Sequence, residues 1–568
     1  MLRIRNALIN LVFGMAPGIL LAMAPVHAQT PPNLPGTVDP GRLQERFEAP
    51  QLPRAVEEPL LPDDEKKMPP EDAEKIRFKL NAIQLRGNTV YSEAELGPIY
   101  QPYLGKEISL ATLYQITDAI TAFYRNSGYV LTRATTPAQR VENGNVQIAI
   151  FEGTIGKVTI EGNVPARRAL LDAYLKKITD SVPLRSDVLE RYVLLINDLP
   201  GINAKAVLVP SFETAGATDL ALQLSDDRWD AALSVDNRGT EFIGAVQFRA
   251  QGGVNNLFGN FERISGQSVV TQNTNELRFF DFGYVQPVGT EGTLAGVSAN
   301  ISWSNPGASL KPFDVEGRNR SVTASLSHPW IRSRRQNISF QGSFTVKNSR
   351  TDLRSSLLTE DRLRVLRAGA SADFTDSFGG VNLFGLDVSQ GLDILHATNS
   401  GDLNRTRFSG REDFTKFSGN AMRIQTITER LRAVLGLNAQ YALSQLFSSE
   451  EFGYGGVPFG HAYDPSQLTG DHGVSMRAEG QYALPYEHEF LRSSEVYGFY
   501  DLGTVWHIDN NDRPWKQSAA SLGGGARFTL STRLLGYAEI AKPLTTSVPA
   551  RGTEGKSPRF FFSLTAPL

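Results

Sequence analysis

A chain of 568 residues exceeds one ordinary soluble domain, so several structural units are expected. It holds 51 Gly, 31 Phe and 17 Tyr at a mean hydropathy of −0.24, and no run of about 20 apolar residues follows residue 30, which excludes a helical membrane protein. A net charge of −3 argues against a dedicated nucleic-acid binder, and the lack of cysteine excludes disulfides, thiolate metal sites and cysteine nucleophiles.

At the N-terminus, Arg3 and Arg5 precede an apolar stretch from Ala7 to Met23. Val26-His27-Ala28 then places small residues at −3 and −1 of a cleavage site. Residues 1–28 read as a secretory signal peptide rather than a membrane anchor, because the apolar run is short. Residues 29–75 are dense in proline and charge and read as a linker. Within it, Asp39 can cap a helix that has Pro40 at its first position. Leu43 and Phe47 would share one face of that short helix, at about 39–48.

An internal repeat follows. Ile83-Gln84-Leu85-Arg86-Gly87-Asn88 recurs as Val158-Thr159-Ile160-Glu161-Gly162-Asn163. Each copy opens with an alternating strand and a Gly-Asn turn. Helical spacing comes next: Leu110, Leu113, Ile116, Ile120 and Phe123 in the first copy, Val188, Tyr192, Leu195 and Leu199 in the second. Gly128-Tyr129 and Pro200-Gly201 stop these helices. Alternating strands close each copy, at Val146–Phe151 and Asp219–Leu224. The order β-α-α-β-β, twice, predicts two α+β modules at 76–153 and 154–226.

From 227 to 568 the helical period fades and period-2 alternation persists. Ala295–Trp303, Ser321–His328, Phe280-Asp281-Phe282-Gly283-Tyr284 and Phe560–Leu564 all alternate apolar with small or polar residues. A soluble β-sandwich would also alternate. A region this long, behind a signal peptide, fits a membrane barrel better. Such a barrel needs strands of about 9–11 residues and must close on itself, because lipid cannot satisfy an open edge.

This layout resembles the two-partner secretion transporters, the haemolysin and filamentous-haemagglutinin secretion/activation proteins. The resemblance covers nearly the whole mature chain. It implies a transmembrane antiparallel β-barrel of about 16 strands, a plug helix near 39–48, and two N-terminal polypeptide-transport-associated (POTRA) domains in the periplasm. Phe452-Gly453-Tyr454-Gly455-Gly456-Val457-Pro458-Phe459-Gly460-His461-Ala462-Tyr463 is similar to the family's inward-folded loop. That loop carries Gly-Gly and then Val-Arg-Gly-Tyr. Gly455, Gly456 and Tyr463 match; His461 stands where arginine is usual and Ala462 where glycine is usual. Phe499-Tyr500-Asp501-Leu502-Gly503 resembles the strand motif that receives the loop, with Phe499, Asp501 and Gly503 at the motif positions. In the family the loop arginine pairs with that aspartate. Arginine keeps its charge and offers a planar fork, and histidine does neither reliably, so a weaker or pH-sensitive lock is expected here. Arg477, on the next strand, is the other candidate partner for Asp501. The chain also ends Ala566-Pro567-Leu568, where such barrels end in Phe or Trp.

The resemblance implies that an unfolded partner, a large exoprotein with an N-terminal secretion domain, docks on a POTRA sheet edge and passes through the pore to the cell surface. The groove between the helix at 109–126 and a strand beginning near Tyr129 is the candidate dock, with Leu110, Tyr114, Phe123, Tyr124 and Tyr129 as contacts. Outer-membrane lipid and the barrel assembly machinery are implied further partners. An outer-membrane insertion factor of the same superfamily is the alternative, although such relatives carry three or more POTRA repeats. A surface hydrolase is disfavoured: Gly-x-Ser-x-Gly and His-Glu-x-x-His are both absent, and the histidines form no ligand pair at helical spacing. No enzymatic activity, catalytic residue, cofactor, metal or nucleic-acid partner is expected.

Overall fold

A computed structural model describes residues 34–48, 69–162, 168–214, 216–485, 488, 491–509, 513–530 and 534–568. The expected signal peptide and linker residues 49–68 lie outside them.

The first described element is the plug. Asp39 caps a 3-10 turn, Pro40–Arg42, its carboxylate accepting from the Gly41 amide at 2.8 Å. The turn runs into a helix of five residues, Leu43–Phe47. A helix this short has no stability of its own. The barrel holds it instead. Leu43 and Phe47 are buried, the Phe47 ring lies 5.0 Å from Phe279, and Asn300 donates to Gln44 at 2.8 Å.

The first α+β module carries a sheet in the order Ala82–Arg86, Asn145–Phe151, Arg133–Thr135. Alternation sets Ile83, Leu85, Val146, Ile148 and Ile150 inward. Helices Glu93–Tyr100 and Leu110–Asn126 cover this face. Ser92 and Glu95 form a capping box at the first helix, and Ser109 caps the second. The repeat pattern overlooks one feature, a small ladder of Arg77–Lys79 with Glu107–Ser109. It also sets the third strand too early. Tyr129 lies in a turn, with the Thr132 amide bonded back to its carbonyl, and the strand is Arg133–Thr135.

The second module repeats the plan with strands Thr154–Gly162, Ala217–Asp226 and Ile202–Pro210 in that order across the sheet, under helices Ala169–Thr179 and Ser186–Asn197. The glycine repeated at this point of each module has a common cause. Gly87 and Gly162 have φ of 89° and 93°, and a Cβ on either would lie 2.2 or 2.1 Å from a carbonyl of the neighbouring strand.

Sixteen antiparallel strands then close a barrel. They are β1 (Trp229–Asp236), β2 (Gln247–Asn255), β3 (Arg263–Thr271), β4 (Leu277–Val288), β5 (Thr293–Ser304), β6 (Val315–Arg332), β7 (Gln336–Leu353) and β8 (Ser356–Thr375). After these come β9 (Gly380–Gly391), β10 (Thr415–Thr426), β11 (Leu431–Ala442), β12 (His472–Ala483), β13 (Leu491–Trp506), β14 (Lys516–Leu530), β15 (Leu534–Pro543) and β16 (Arg559–Pro567). β16 pairs with β1 from Ser563↔Asp236 to Pro567↔Ala232, so no edge is left open. The unusual C-terminus still joins this seam, with the Leu568 amide donating to Ala231 at 2.9 Å. Alternation sorts the two faces. Phe282, Val297, Val322, Leu386 and Leu502 point outward and are exposed, whereas Asn300, Asn319, Lys347, Ser349 and Asp501 are buried. β6, β7 and β8 have 18, 18 and 20 residues, well beyond the length that crosses a bilayer.

The second module is fastened to one end of the barrel. Lys177 and Tyr192 reach Glu291 in the β4–β5 turn, at 2.9 and 3.1 Å. Arg332, at the end of β6, holds Asp198 through two bonds of 2.7 and 2.9 Å.

One carboxylate ties the first module together. Glu152 accepts from the Thr89 and Val90 amides at 2.7 and 2.9 Å, from the Thr89 hydroxyl, and from the Tyr124 hydroxyl at 2.8 Å. Burial alone would raise its pKa, but these donors outweigh burial and hold it below the usual carboxylate range. Its contribution to stability is therefore full above the ordinary glutamate pKa and is lost as pH falls through the lowered value. Glu152→Gln is expected to speed hydrogen exchange in Ala82–Arg86 and Asn145–Phe151 at neutral pH and to leave the barrel strands unchanged. Exchange at the wild-type rate would show that the carboxylate does not carry this junction.

Candidate functional site: an inward loop held against the barrel wall

The β11–β12 connection (443–471) folds into the lumen as a hairpin. Phe452–Tyr454 pairs with Leu468–Gly470, from Phe452↔Gly470 to Tyr454↔Leu468. Gly455 and Gly456 follow with φ of 123° and 80°, and their amides bond to the Phe459 carbonyl and to the carbonyls of Gly460 and Tyr463. This turn brings His461, Ala462 and Tyr463 to the wall.

The receiving wall is β13. Alternation sends Tyr497, Phe499, Asp501, Gly503 and Val505 toward the lumen. His461 meets Asp501 twice: its amide donates to Oδ2 at 3.0 Å and its Nδ1 lies 2.9 Å from the same oxygen. An imidazole bonded this way carries its proton on Nδ1. Ser521 of β14 adds a third donor at 2.9 Å. The aspartate has no exposed surface and the histidine is 3% exposed. The imidazole also lies on the Phe499 ring at 4.3 Å between centroids. Asp501 thus takes the histidine and not Arg477. Arg477 instead makes an ion pair with Glu479 and stacks over Phe499 at 5.7 Å.

Gly503 has a steric reason. A Cβ there would lie 2.1 Å from the ring of Tyr454, which packs against this stretch of wall. Tyr463 reaches farther and donates its hydroxyl to the Ala520 carbonyl at 2.7 Å. Ala462 is wholly buried among Tyr497, Phe499, Ala541 and Phe561.

Two wall arginines complete the grip, and no motif marked them. Arg238, after β1, donates to the His461 carbonyl at 3.0 Å and pairs with Glu539 at 2.6 Å. Arg559 of β16 donates to the Ala462 carbonyl at 2.9 Å and to Asp464 at 2.8 Å. Both guanidinium groups stack on Phe561, at 4.0 and 5.0 Å. The usual direction of charge is thus supplemented: the wall sends cations to the loop's backbone.

The plug joins the same assembly. Arg42, 5% exposed, donates to the carbonyls of Ser448 and Glu451, both at 2.8 Å. Ser448 donates to Asp39 at 2.6 Å, Lys347 donates to the Gly41 carbonyl, and Arg46 donates to the Arg238 carbonyl at 2.9 Å. Glu450, buried beside them, is met by Lys416 at 2.9 Å and Arg367 at 2.8 Å. A buried carboxylate without such partners would be strongly unfavourable.

The candidate docking residues fall in two places. Phe123, Tyr124 and Tyr129 gather around Tyr91, with centroid distances of 5.0, 5.0 and 6.2 Å. Tyr124 is fully buried and belongs to the module core, so it has no surface for a partner. Leu110, Phe123 and Tyr129 pack partly buried against that core, and Tyr114 is half-buried on the long helix. At the edge strand, the Ala134 amide is already taken by the Thr121 hydroxyl at 3.0 Å, so an added strand must displace it there.

A closed sixteen-stranded barrel, stopped by a helix and an inward loop and carrying α+β modules at one end, defines an outer-membrane transporter of polypeptides. Residues 216–528 match the family model described as haemolysin secretion/activation protein ShlB/FhaC/HecB, and residues 78–153 match the ShlB-type POTRA domain. The chain belongs to this haemolysin secretion/activation family, the two-partner secretion transporters. It is 26% identical over 491 residues to the heme/hemopexin transporter protein HuxB of Haemophilus influenzae (strain 86-028NP), spanning 84% of this chain and 85% of the relative. It is 21% identical over 498 residues to the outer membrane transporter CdiB of Dickeya dadantii (strain 3937), spanning 87% and 86%. Among solved structures, CdiB from Escherichia coli superposes with a TM-score of 0.69 at 19% identity, covering 92% of this chain and 93% of that one.

Gly503→Ala is expected to force Tyr454 from the wall and release the hairpin, seen as faster protease cleavage within 455–466. Gly480→Ala on β12, where a Cβ meets nothing within 4 Å, is expected to behave as wild type. Equal cleavage of both variants would refute the contact's role.

Proposed function

We propose that this transporter exports one dedicated partner, a large secreted protein with an N-terminal secretion domain, through the barrel lumen to the cell surface. The observation that carries this reading is the kind of contact that blocks the lumen. Plug and loop are held by hydrogen bonds and ion pairs to the wall, beside apolar contacts such as Phe47 on Phe279 and Tyr454 against Val505. Water can replace such bonds, each with a charged partner, at a net cost of about 1.5–3 kcal/mol, so the block is removable.

In this reading residues 154–226 form a second POTRA domain beside the one at 78–153, and both stand in the periplasm. Residues 1–28 direct export across the inner membrane. The barrel's apolar outer face meets outer-membrane lipid, and the barrel assembly machinery inserts it. The unfolded partner adds a strand to a POTRA sheet edge, where main-chain bonds give affinity. The edge Arg133–Thr135 remains the first candidate, with Leu110, Tyr114, Phe123 and Tyr129 beside it and Thr121 as the group to be displaced. The chain carries no Gly-x-x-x-x-Gly-Lys-Ser/Thr motif, and folding of the partner outside the cell drives transport. The protein acts as a conduit and not as an enzyme.

Co-expression with a large secreted protein that carries an N-terminal secretion domain, taken from a neighbouring gene, tests this reading. The full chain is expected to release that protein from the cell, and a chain lacking 76–226 is expected to retain it in the periplasm although its barrel still assembles. Secretion that survives the deletion would refute the docking role.

A further inference from the structure

The β9–β10 connection (392–414) lies at the barrel end away from the modules. It first follows the end of β8: the Thr398 amide donates to the Arg362 carbonyl at 2.9 Å, and the Glu360 amide to the Asn404 carbonyl at 2.6 Å. It then leaves the wall. The Thr406 hydroxyl bonds Asp361 and accepts from the Ser448 amide, at 3.2 Å. Arg407 turns inward and is buried.

Arg407 grips both roots of the inward loop. Its Nη1 contacts Asp471 Oδ1, lies 3.1 Å from Glu451 Oε1, and donates to the Leu446 carbonyl at 2.9 Å. Its Nη2 donates to Asp471 Oδ2 at 3.2 Å and lies 3.7 Å from Asp509. Glu451 immediately precedes the strand Phe452–Tyr454, and Asp471 immediately follows Leu468–Gly470. Asp471 also accepts from the amides of Leu446 at 2.8 Å and Ile508 at 3.0 Å, and Glu451 is faced by Arg513 at 3.1 Å and His507 at 3.6 Å. The β9–β10, β11–β12 and β13–β14 connections therefore meet at one buried charge cluster, across the ends of β10 to β13. The plug reaches the same place, because Arg42 bonds the Glu451 carbonyl and Asp39 accepts from Ser448.

We infer that segment 392–414 is a lid and Arg407 its latch: neither loop nor plug leaves the lumen until Arg407 lets go of Glu451 and Asp471. The inference rests on the reading of the lumen as the conduit. It makes Arg407 a positioning residue for gating, separate from the His461–Asp501 contact deeper in the barrel. Two carboxylates at the two roots, bridged by one guanidinium from a third segment, cannot separate without breaking that bridge.

Purified full-length protein in planar bilayers bathed in potassium chloride tests the latch without any secreted partner. Arg407→Met keeps length and removes the charge, and it is expected to raise the open time several-fold. A second variant leaves the charges intact. The Arg411 amide donates to the Gln445 carbonyl at 3.0 Å, so R411C with Q445C sets two thiols across the lid and the loop root in a chain with no other cysteine. Oxidation is expected to suppress openings and a reductant to restore them. Equal opening of the oxidised and reduced pair overturns the lid, as does wild-type opening of an assembled R407M barrel. If R407M fails to assemble, the cysteine pair decides alone. Unchanged conductance in a transporter that still secretes its partner would refute the lid and leave the secretion reading intact.

Discussion

A carboxylate with no exposed surface, Asp501, organises the lumen. It sits in the barrel wall, where lipid lies on one side and water is displaced on the other. Such a group needs donors, and among the described residues the inward loop and one serine bring them to Oδ2. The wall's own cations need acceptors in turn, and they find the loop's carbonyls and Asp464. Loop and wall thus partner each other at Asp501 Oδ2 and at the carbonyls of His461 and Ala462. The result is a seal that is specific in position but built from bonds that can be exchanged.

The plug obeys the same logic from the opposite direction. Five helical residues cannot hold a helix in water. Their order comes from Phe279, Asn300, Lys347 and the loop root. An element that is ordered only by its socket can be released whenever the socket changes. Histidine in place of arginine at 461 fits this division of labour. The imidazole is short enough to lie on Phe499, and Arg238 and Arg559 already deliver positive charge to the same turn.

Outside the lumen, one device repeats. Period-2 alternation faces Phe282 and Leu502 to lipid and Asn319 and Asp501 inward, and it faces Ile83 and Leu85 to the module core. The fastening of the second module is different in kind. It joins ion pairs such as Arg332–Asp198 and Lys177–Glu291 to an apolar contact, Phe261 of the β2–β3 turn buried in the module's core.

Much of this was legible along the chain because it is local. Alternation marks the barrel, the 75-residue repeat marks two modules, and Asp39-Pro40 marks the start of the plug. The Gly455-Gly456 turn and the Asp501-Gly503 strand keep their order and spacing, which named Asp501 and its two candidate partners, His461 and Arg477, without choosing between them. Short strands without apolar alternation, such as Arg77–Lys79, left no such trace, and the turn at Tyr129 looked like a strand start. Tyr124 could be read as either core or docking contact, because helical spacing alone does not say which flank of an apolar face is sealed. The arginines were invisible for a simpler reason. Arg238 meets His461 across 223 residues, Arg559 meets Ala462 across 97, and Arg42 meets Ser448 across 406. The sequence by itself determined which segments become strands, modules and loop, since those depend on neighbours within a few residues. Which arginines close the lumen, and which carboxylates they hold, was decided only when the sheet closed and brought distant segments within hydrogen-bond reach.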